Sequence, residues 1–341
     1  MHRHANDAPT AVMAQKRQKP TLQKRQNRIL RERPPRRQFC RQSYQARNRC
    51  HMGFQANRDF LEFNSLPIDT VITLLDRAEQ LAADWETHAM PQTLSGKRIG
   101  LIVDDTGWRN TAAFDLGAKA MGGIVVHPPI SFNARETTAD LAGYFDNWFD
   151  LIVVRTKELV TLKELASAMR APVINARTTS NHPCETLGDL ACVRKIRGSL
   201  DTLKVVGIAP NANILRSWVE ASKSLPIKVV QVYPERWHIT DPALTNKNFE
   251  VSEDIRHVFD ADVIITDSWP ANADDAELID YQVTAAVLDE CKSNAIFLPC
   301  PPVARGQEVT IEAMGHKACQ SRSAKAFLLH AQNALMEWAM A

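Results

Sequence analysis

The chain has no cysteine pair at CxxC spacing, no apolar leader, and no apolar run near the roughly 20 residues that a membrane helix needs. These absences exclude zinc ribbons, dithiol redox motifs and helical membrane spans. Its seven cysteines, an odd number, argue against a disulfide framework and for reduced thiols in a cytosolic compartment. No Cys/His spacing supports a metal, and neither metal nor cofactor is expected. Acidic residues are scarce at the start: residues 1–58 hold only Asp7 and Glu32 against 15 Lys and Arg.

The overall charge of +2 therefore conceals two parts. Residues 59–341 carry 26 basic against 37 acidic side chains, a deficit of eleven, behind a basic arm. The arm has few large apolar residues and builds no core. Its simplest account is a stretch upstream of translation that really starts at Met52. An organelle transit peptide is the second account. Nucleic-acid binding ranks behind both, because the aromatic interleaving of single-strand binders is missing. The expected location is cytoplasmic, with no membrane partner.

From residue 60 onward the pattern is that of a folded protein. Ile68, Val71, Ile72, Leu75, Ala78, Leu81, Ala82 and Trp85 recur at helical spacing and predict an amphipathic helix over 67–86. Eight short apolar bursts follow, at 99–103, 124–127, 151–154, 172–174, 205–208, 228–232, 263–265 and 295–298. Helical stretches separate them, at 110–121, 136–147, 161–169, 184–196, 212–224, 253–259 and 284–292. Continuous apolar strands alternating with helices predict parallel sheets covered on both faces. The fold class is thus α/β, with two doubly wound parallel-sheet domains of four strands each. The expected division is 1–58 arm, 59–199 first domain, 200–320 second domain, and 321–341 a helix returning to the first. Ligands of such sheets bind beyond the carboxyl ends of the strands, so the segments after each burst carry the candidate site.

Three of those segments carry motifs. After the third burst the chain reads Val153-Val154-Arg155-Thr156. After the fourth it reads Val173-Ile174-Asn175-Ala176, then His182-Pro183-Cys184-Glu185. The last burst runs into Pro299-Cys300-Pro301-Pro302-Val303-Ala304-Arg305-Gly306-Gln307-Glu308-Val309-Thr310. In this order and spacing the set resembles the aspartate/ornithine carbamoyltransferase family, whose ornithine members carry VVRT, VINA…HPCQ and HCLPxxRGxEVT. The likeness covers about 60–338 and includes Asp262-Val263-Ile264-Ile265-Thr266-Asp267-Ser268-Trp269, similar to the family's DVIxTDxW.

The resemblance implies a homotrimer that transfers a carbamoyl group from carbamoyl phosphate, or another anionic donor, to an amino-acid amine. It implies that Arg155 touches the donor and that His182 donates to the carbonyl oxygen. Arg109 matches the middle arginine of the phosphate motif STRTR, and Arg135 a basic residue that reaches into a neighbouring protomer's site. Asn213 and Asp267 match the amino-acid site. Cys300 stands where ornithine enzymes have a cysteine, inside the same motif as Arg305.

The departures are as informative. STRTR reads Gly107-Trp108-Arg109-Asn110-Thr111 here, so two hydroxyl donors are gone, a third is an amide, and an indole stands where a small residue faced the phosphate. Each charge-assisted hydrogen bond lost costs roughly 1.5–3 kcal/mol. Glu185 replaces a glutamine, and an ionised carboxylate there repels a phosphate dianion by about 1 kcal/mol or more. Pro299 and Pro301 replace a histidine and a leucine, Ala271-Asn272-Ala273 replaces the ornithine-gripping SMG, and Ala334 stands where a late arginine is expected.

Each residue also has a plainer reading. His182 and Asp267 act as caps, Glu185 complements a helix dipole, and Trp108 packs in a core that closes the pocket. Cys300 fits a small apolar filler better than a nucleophile. The expectation is a carbamoyltransferase-type transferase with altered donor and acceptor sites. The alternative is an inactive paralogue that binds a small molecule or regulates.

Overall fold

The computed structural model describes residues 58–103, 107–132 and 135–341; the basic arm, apart from Arg58, lies outside them. Among these residues are nine strands in two all-parallel sheets. The first sheet comprises β1 (Arg98–Val103), β2 (Ile124–Val126), β3 (Leu151–Arg155) and β4 (Val173–Arg177), in the order β2-β1-β3-β4. The second comprises β5 (Leu203–Ile208), β6 (Ile227–Val232), β7 (Phe249–Ser252), β8 (Val263–Thr266) and β9 (Ile296–Pro299), in the order β7-β6-β5-β8-β9. The expected parallel α/β architecture is present.

Two details differ from expectation. The second sheet has a fifth strand, β7, at its edge and only partly buried. It has no continuous apolar run, which is why a search for apolar bursts passes over it. The helix expected at 253–259 is a single short 3-10 turn, Ile255–Val258, started by the Asp254 carboxylate.

The helices are α1 (Ile68–Glu86), α2 (Trp108–Ala120), α3 (Thr138–Trp148), α4 (Leu159–Ala168), α5 (Pro183–Arg197), α6 (Asn213–Ala221), α7 (Asp275–Leu278), α8 (Ala285–Glu290), α9 (Ile311–Gly315) and α10 (Ser321–Ala339). The ends of α5 are fully specified by sequence. Pro183 opens it, Glu185 lies in its first turn, Arg194, Lys195 and Arg197 in its last, and Gly198 at φ +81° closes it. Residues 183–193 of α5 are all buried. A single apolar cluster runs from Leu101, Val153 and Ile174 through Leu187 and Leu190 to Val205 and Trp218, so α5 is common to the packing of both sheets.

The long α10 packs on α1, α2 and α5. Gln332 Nε2 donates to Asn110 Oδ1 at 2.6 Å, and a Cβ at Gly188 would lie 2.8 Å from the Leu328 Cα. Gly188 thus permits the close crossing of α5 and α10.

Buried acids also shape the stability profile. Burial pushes the Asp189 carboxyl on α5 up to about 8, from an ordinary 3.8. The unfolded chain then gives up this proton at lower pH than the folded one. The contribution is present below about pH 4 and is lost as pH rises through about 8. Asp189→Asn removes the titration, so its melting temperature is expected to exceed that of the parent by several degrees at pH 8 and not at pH 4.5. Scanning calorimetry at the two pH values checks this.

Candidate active site

Each sheet has one point where the strand order reverses, between β1 and β3 and between β5 and β8. Crevices open at such points. The segments leaving these four strands meet at one cavity of about 270 Å³. Gly107, Trp108, Arg109 and Asn110 follow β1; Arg155 ends β3 and Arg177 ends β4. His182 and Glu185 open α5, Asn213 opens α6, Asp267 follows β8, Cys300, Pro301 and Pro302 follow β9, and Lys325 comes from α10.

Nine of the residues singled out in the sequence therefore line one cavity: Trp108, Arg109, Asn110, Arg155, His182, Glu185, Asn213, Asp267 and Cys300. Arg305 does not; it is exposed in the segment before α9. Arg135 is also exposed and outside the cavity of its own chain.

Arg155 is buried, and it pairs in register with Arg177 across a bulge at Val154–Arg155. Two cations thus leave neighbouring strands side by side, an arrangement that an anion between them relieves. A Cβ at Gly107 would overlap the Arg155 guanidinium, so the loop after β1 approaches this arginine as only glycine permits.

His182 stands at the N-cap of α5, but its ring caps nothing. Its backbone N–H donates to Ser217 Oγ at 2.8 Å. The turn before it is fixed by a buried polar network. Asn175 Nδ2 and Thr178 Oγ1 donate to Asn181 Oδ1 at 2.7 and 2.8 Å, and Asn181 Nδ2 donates to Glu220 Oε1 at 3.2 Å. The ring lines the cavity with Nδ1 buried and unpartnered and Nε2 3.8 Å from Glu185 Oε2. Burial, then the charges of Arg155, Lys325 and Arg177, hold the imidazole well below its ordinary value, so it is neutral.

Trp108 is not a core residue. It is 71% exposed at the first position of α2, with the Arg109 guanidinium 5.2 Å from its ring centroid. The indole lies at the cavity rim, which corrects the expectation that it packs in a core and closes the pocket. Asn110 is engaged at both ends of its amide: Nδ2 donates to the Ala176 carbonyl at 3.3 Å and Oδ1 accepts from Gln332.

Glu185 is also altered in meaning. Its buried carboxylate touches the Lys325 ammonium, which offsets the repulsion expected toward an anion. Burial and the neighbouring Arg109 push Lys325 down to about 7. Burial raises Asp267 to about 6 and keeps the Cys300 thiol neutral, far above its ordinary range. Asn213 Nδ2 donates to the Thr178 carbonyl at 2.9 Å, tying α6 to the turn that carries His182. Among the described residues the cavity holds four basic side chains, Arg109, Arg155, Arg177 and Lys325, and the carboxylates Glu185 and Asp267. It suits a dianion beside a neutral hydrogen-bonding group.

Arg177 and Lys325 were missed in the sequence. Arg177 had the same signal as Arg155, a charge at the carboxyl end of a buried strand. Lys325 lies in line with Leu328 and Gln332 on the buried stripe of α10, an unusual position for an ammonium.

Comparisons with known proteins identify the family. The family profile described as aspartate/ornithine carbamoyltransferase, carbamoyl-P binding domain, matches residues 58–195. The profile for the Asp/Orn binding domain matches residues 201–339. The chain is 30% identical over 304 residues to an ornithine carbamoyltransferase of Oceanobacillus iheyensis, covering 83% of this chain and 94% of that protein. It is 28% identical to one from Syntrophus aciditrophicus, covering 82% and 98%. Among solved structures, ornithine carbamoyltransferase from Burkholderia thailandensis superposes with a TM-score of 0.78 at 25% identity, covering 83% of this chain and 98% of that one. The Pyrococcus furiosus enzyme gives 0.77 at 26%, covering 82% and 96%. The chain belongs to the aspartate/ornithine carbamoyltransferase family.

Proposed function

We propose that this chain transfers a carbamoyl group from carbamoyl phosphate, or a closely related anionic donor, to the amine of an amino acid. The observation that carries this reading is the cavity itself: a neutral His182 ring with Nδ1 unpartnered, among Arg109, Arg155, Arg177 and Lys325. In the reaction, the amine nitrogen attacks the carbonyl carbon, the carbon–oxygen bond to phosphate breaks, and phosphate leaves with the electron pair while nitrogen loses a proton. Negative charge grows on the carbonyl oxygen. His182 and Arg155 stabilise it as preformed donors, and Arg109 and Arg177 hold the leaving group. Asp267, which is ionised above about pH 6, and Asn213 orient the acceptor.

Ala271-Asn272-Ala273 in place of the ornithine-gripping loop argues against ornithine itself as the acceptor. The inactive alternative has one observation in its favour, the Asn110 amide occupied within the fold. It leaves the His182 ring without a purpose. The active form is a homotrimer with Arg135 near a neighbour's site. In support, Leu116, Ile124 and Val126 leave an exposed apolar strip around α2 and the edge strand β2.

The test is turnover. The protein is incubated with carbamoyl phosphate and a panel of amino acids, and the carbamoylated amine and released phosphate are measured together. Stoichiometric formation of both with one acceptor is the expected result. No product with any acceptor sinks the reading.

A further inference from the structure

The crossing of α5 and α10 has a chemical consequence. Glu185 lies one turn before Gly188 on α5, and Lys325 one turn before Leu328 on α10; Gly188 and Leu328 meet closely at the crossing. The crossing thus brings a carboxylate and an ammonium together at the cavity wall. The pair is nearly buried, with 7% of the Glu185 side chain and 22% of the Lys325 side chain exposed.

Such a pair adds little to stability, because desolvation of both charges offsets their attraction. Here it is also unfavourable to its surroundings, since Arg109 stands close enough to oppose the ammonium charge. An apolar side chain at 325 would continue the stripe of Leu328 and remove the conflict. The conflict disappears equally if an anion occupies the cavity. The N-terminal end of α2, with Gly107 as its N-cap, opens on the same cavity. Such an end favours an anion at the same point.

We propose that Lys325 is a donor-binding residue. Its ammonium contacts the anionic leaving group and substitutes for the hydroxyl donors that Gly107 and Trp108 do not supply, while Glu185 holds it aimed into the cavity. This rests on the carbamoyl-transfer reading for the identity of the donor, but not for the existence of an anion site.

The experiment is calorimetric titration of the full chain with inorganic phosphate, alongside steady-state kinetics. Lys325→Met keeps the length of the stem and removes the charge. It is expected to weaken phosphate binding about ten- to a hundred-fold, as the loss of a charge-assisted hydrogen bond predicts. The donor KM rises in parallel and the acceptor KM does not. Lys325→Arg recovers most of the affinity. Circular dichroism and melting show whether each variant is folded.

The double variant Glu185→Gln/Lys325→Met separates contact from neutralisation. It is expected to bind phosphate as weakly as Lys325→Met alone. If it binds as tightly as the parent, Lys325 only neutralises Glu185 and the proposal fails. It also fails if Lys325→Met binds phosphate like the parent, or if the parent binds none. If the parent binds phosphate through Lys325 yet transfers no carbamoyl group, the carbamoyl-transfer reading falls and this assignment stands.

Discussion

Replacing His182 with alanine is expected to lower turnover by about a hundred- to a thousand-fold, equivalent to about 2.7–4 kcal/mol of transition-state stabilisation. The imidazole is neutral, because burial and three nearby cations keep it so, and a neutral ring donates a hydrogen bond without adding charge. It is rigidly aimed: its backbone is fixed on Ser217 and its turn by Asn175, Thr178 and Asn181. Its contribution therefore appears where charge grows on the carbonyl oxygen, in kcat more than in KM. The same neutrality predicts that no pH break near 6.5 belongs to this residue. His182→Asn keeps a donor of similar reach and is expected to retain more activity than the alanine variant. Equal kcat in the parent and His182→Ala would remove the residue from the chemistry.

Truncating Arg155 to alanine is expected to reduce kcat/KM by two to three orders of magnitude, about 3–4 kcal/mol. In the proposed reaction this guanidinium donates to the carbonyl oxygen where negative charge grows. It is pressed against Gly107 and stands beside Arg177, so its position is set by two backbone segments. Arg155→Lys keeps the charge but loses the planar fork, and only part of the loss is expected to return. Steady-state kinetics with varied donor at saturating acceptor measure both effects. An unchanged donor KM and kcat in Arg155→Ala would contradict this role.

The fold was readable because buried parallel strands are apolar throughout. The bursts at 151–154 and 205–208 correspond to β3 and β5, the two central strands that border their crevices. β7 escaped because an edge strand needs no continuous apolar run. The 253–259 stretch has the right residues for a helix, but after Asp254 caps its start the turn ends within four residues. At the site, local sequence gave residue type but not direction. Trp108 looked like an obstruction from its volume, yet the first position of α2 turns it to solvent. Arg177 ends a buried strand as Arg155 does, but it falls between the two motif segments at 173–176 and 182–185. Lys325 had no local signal for its partner, because its meeting with Glu185 is created by a helix crossing between distant segments.

The central claim is that this cavity holds carbamoyl phosphate despite its altered loop at 107–111. Calorimetric titration of the full chain with carbamoyl phosphate, repeated with phosphate as competitor, tests it most directly. The account predicts saturable binding in the micromolar to low-millimolar range, displaced by phosphate and weakened in Arg155→Ala. No heat of binding up to tens of millimolar, with a folded protein, would contradict it.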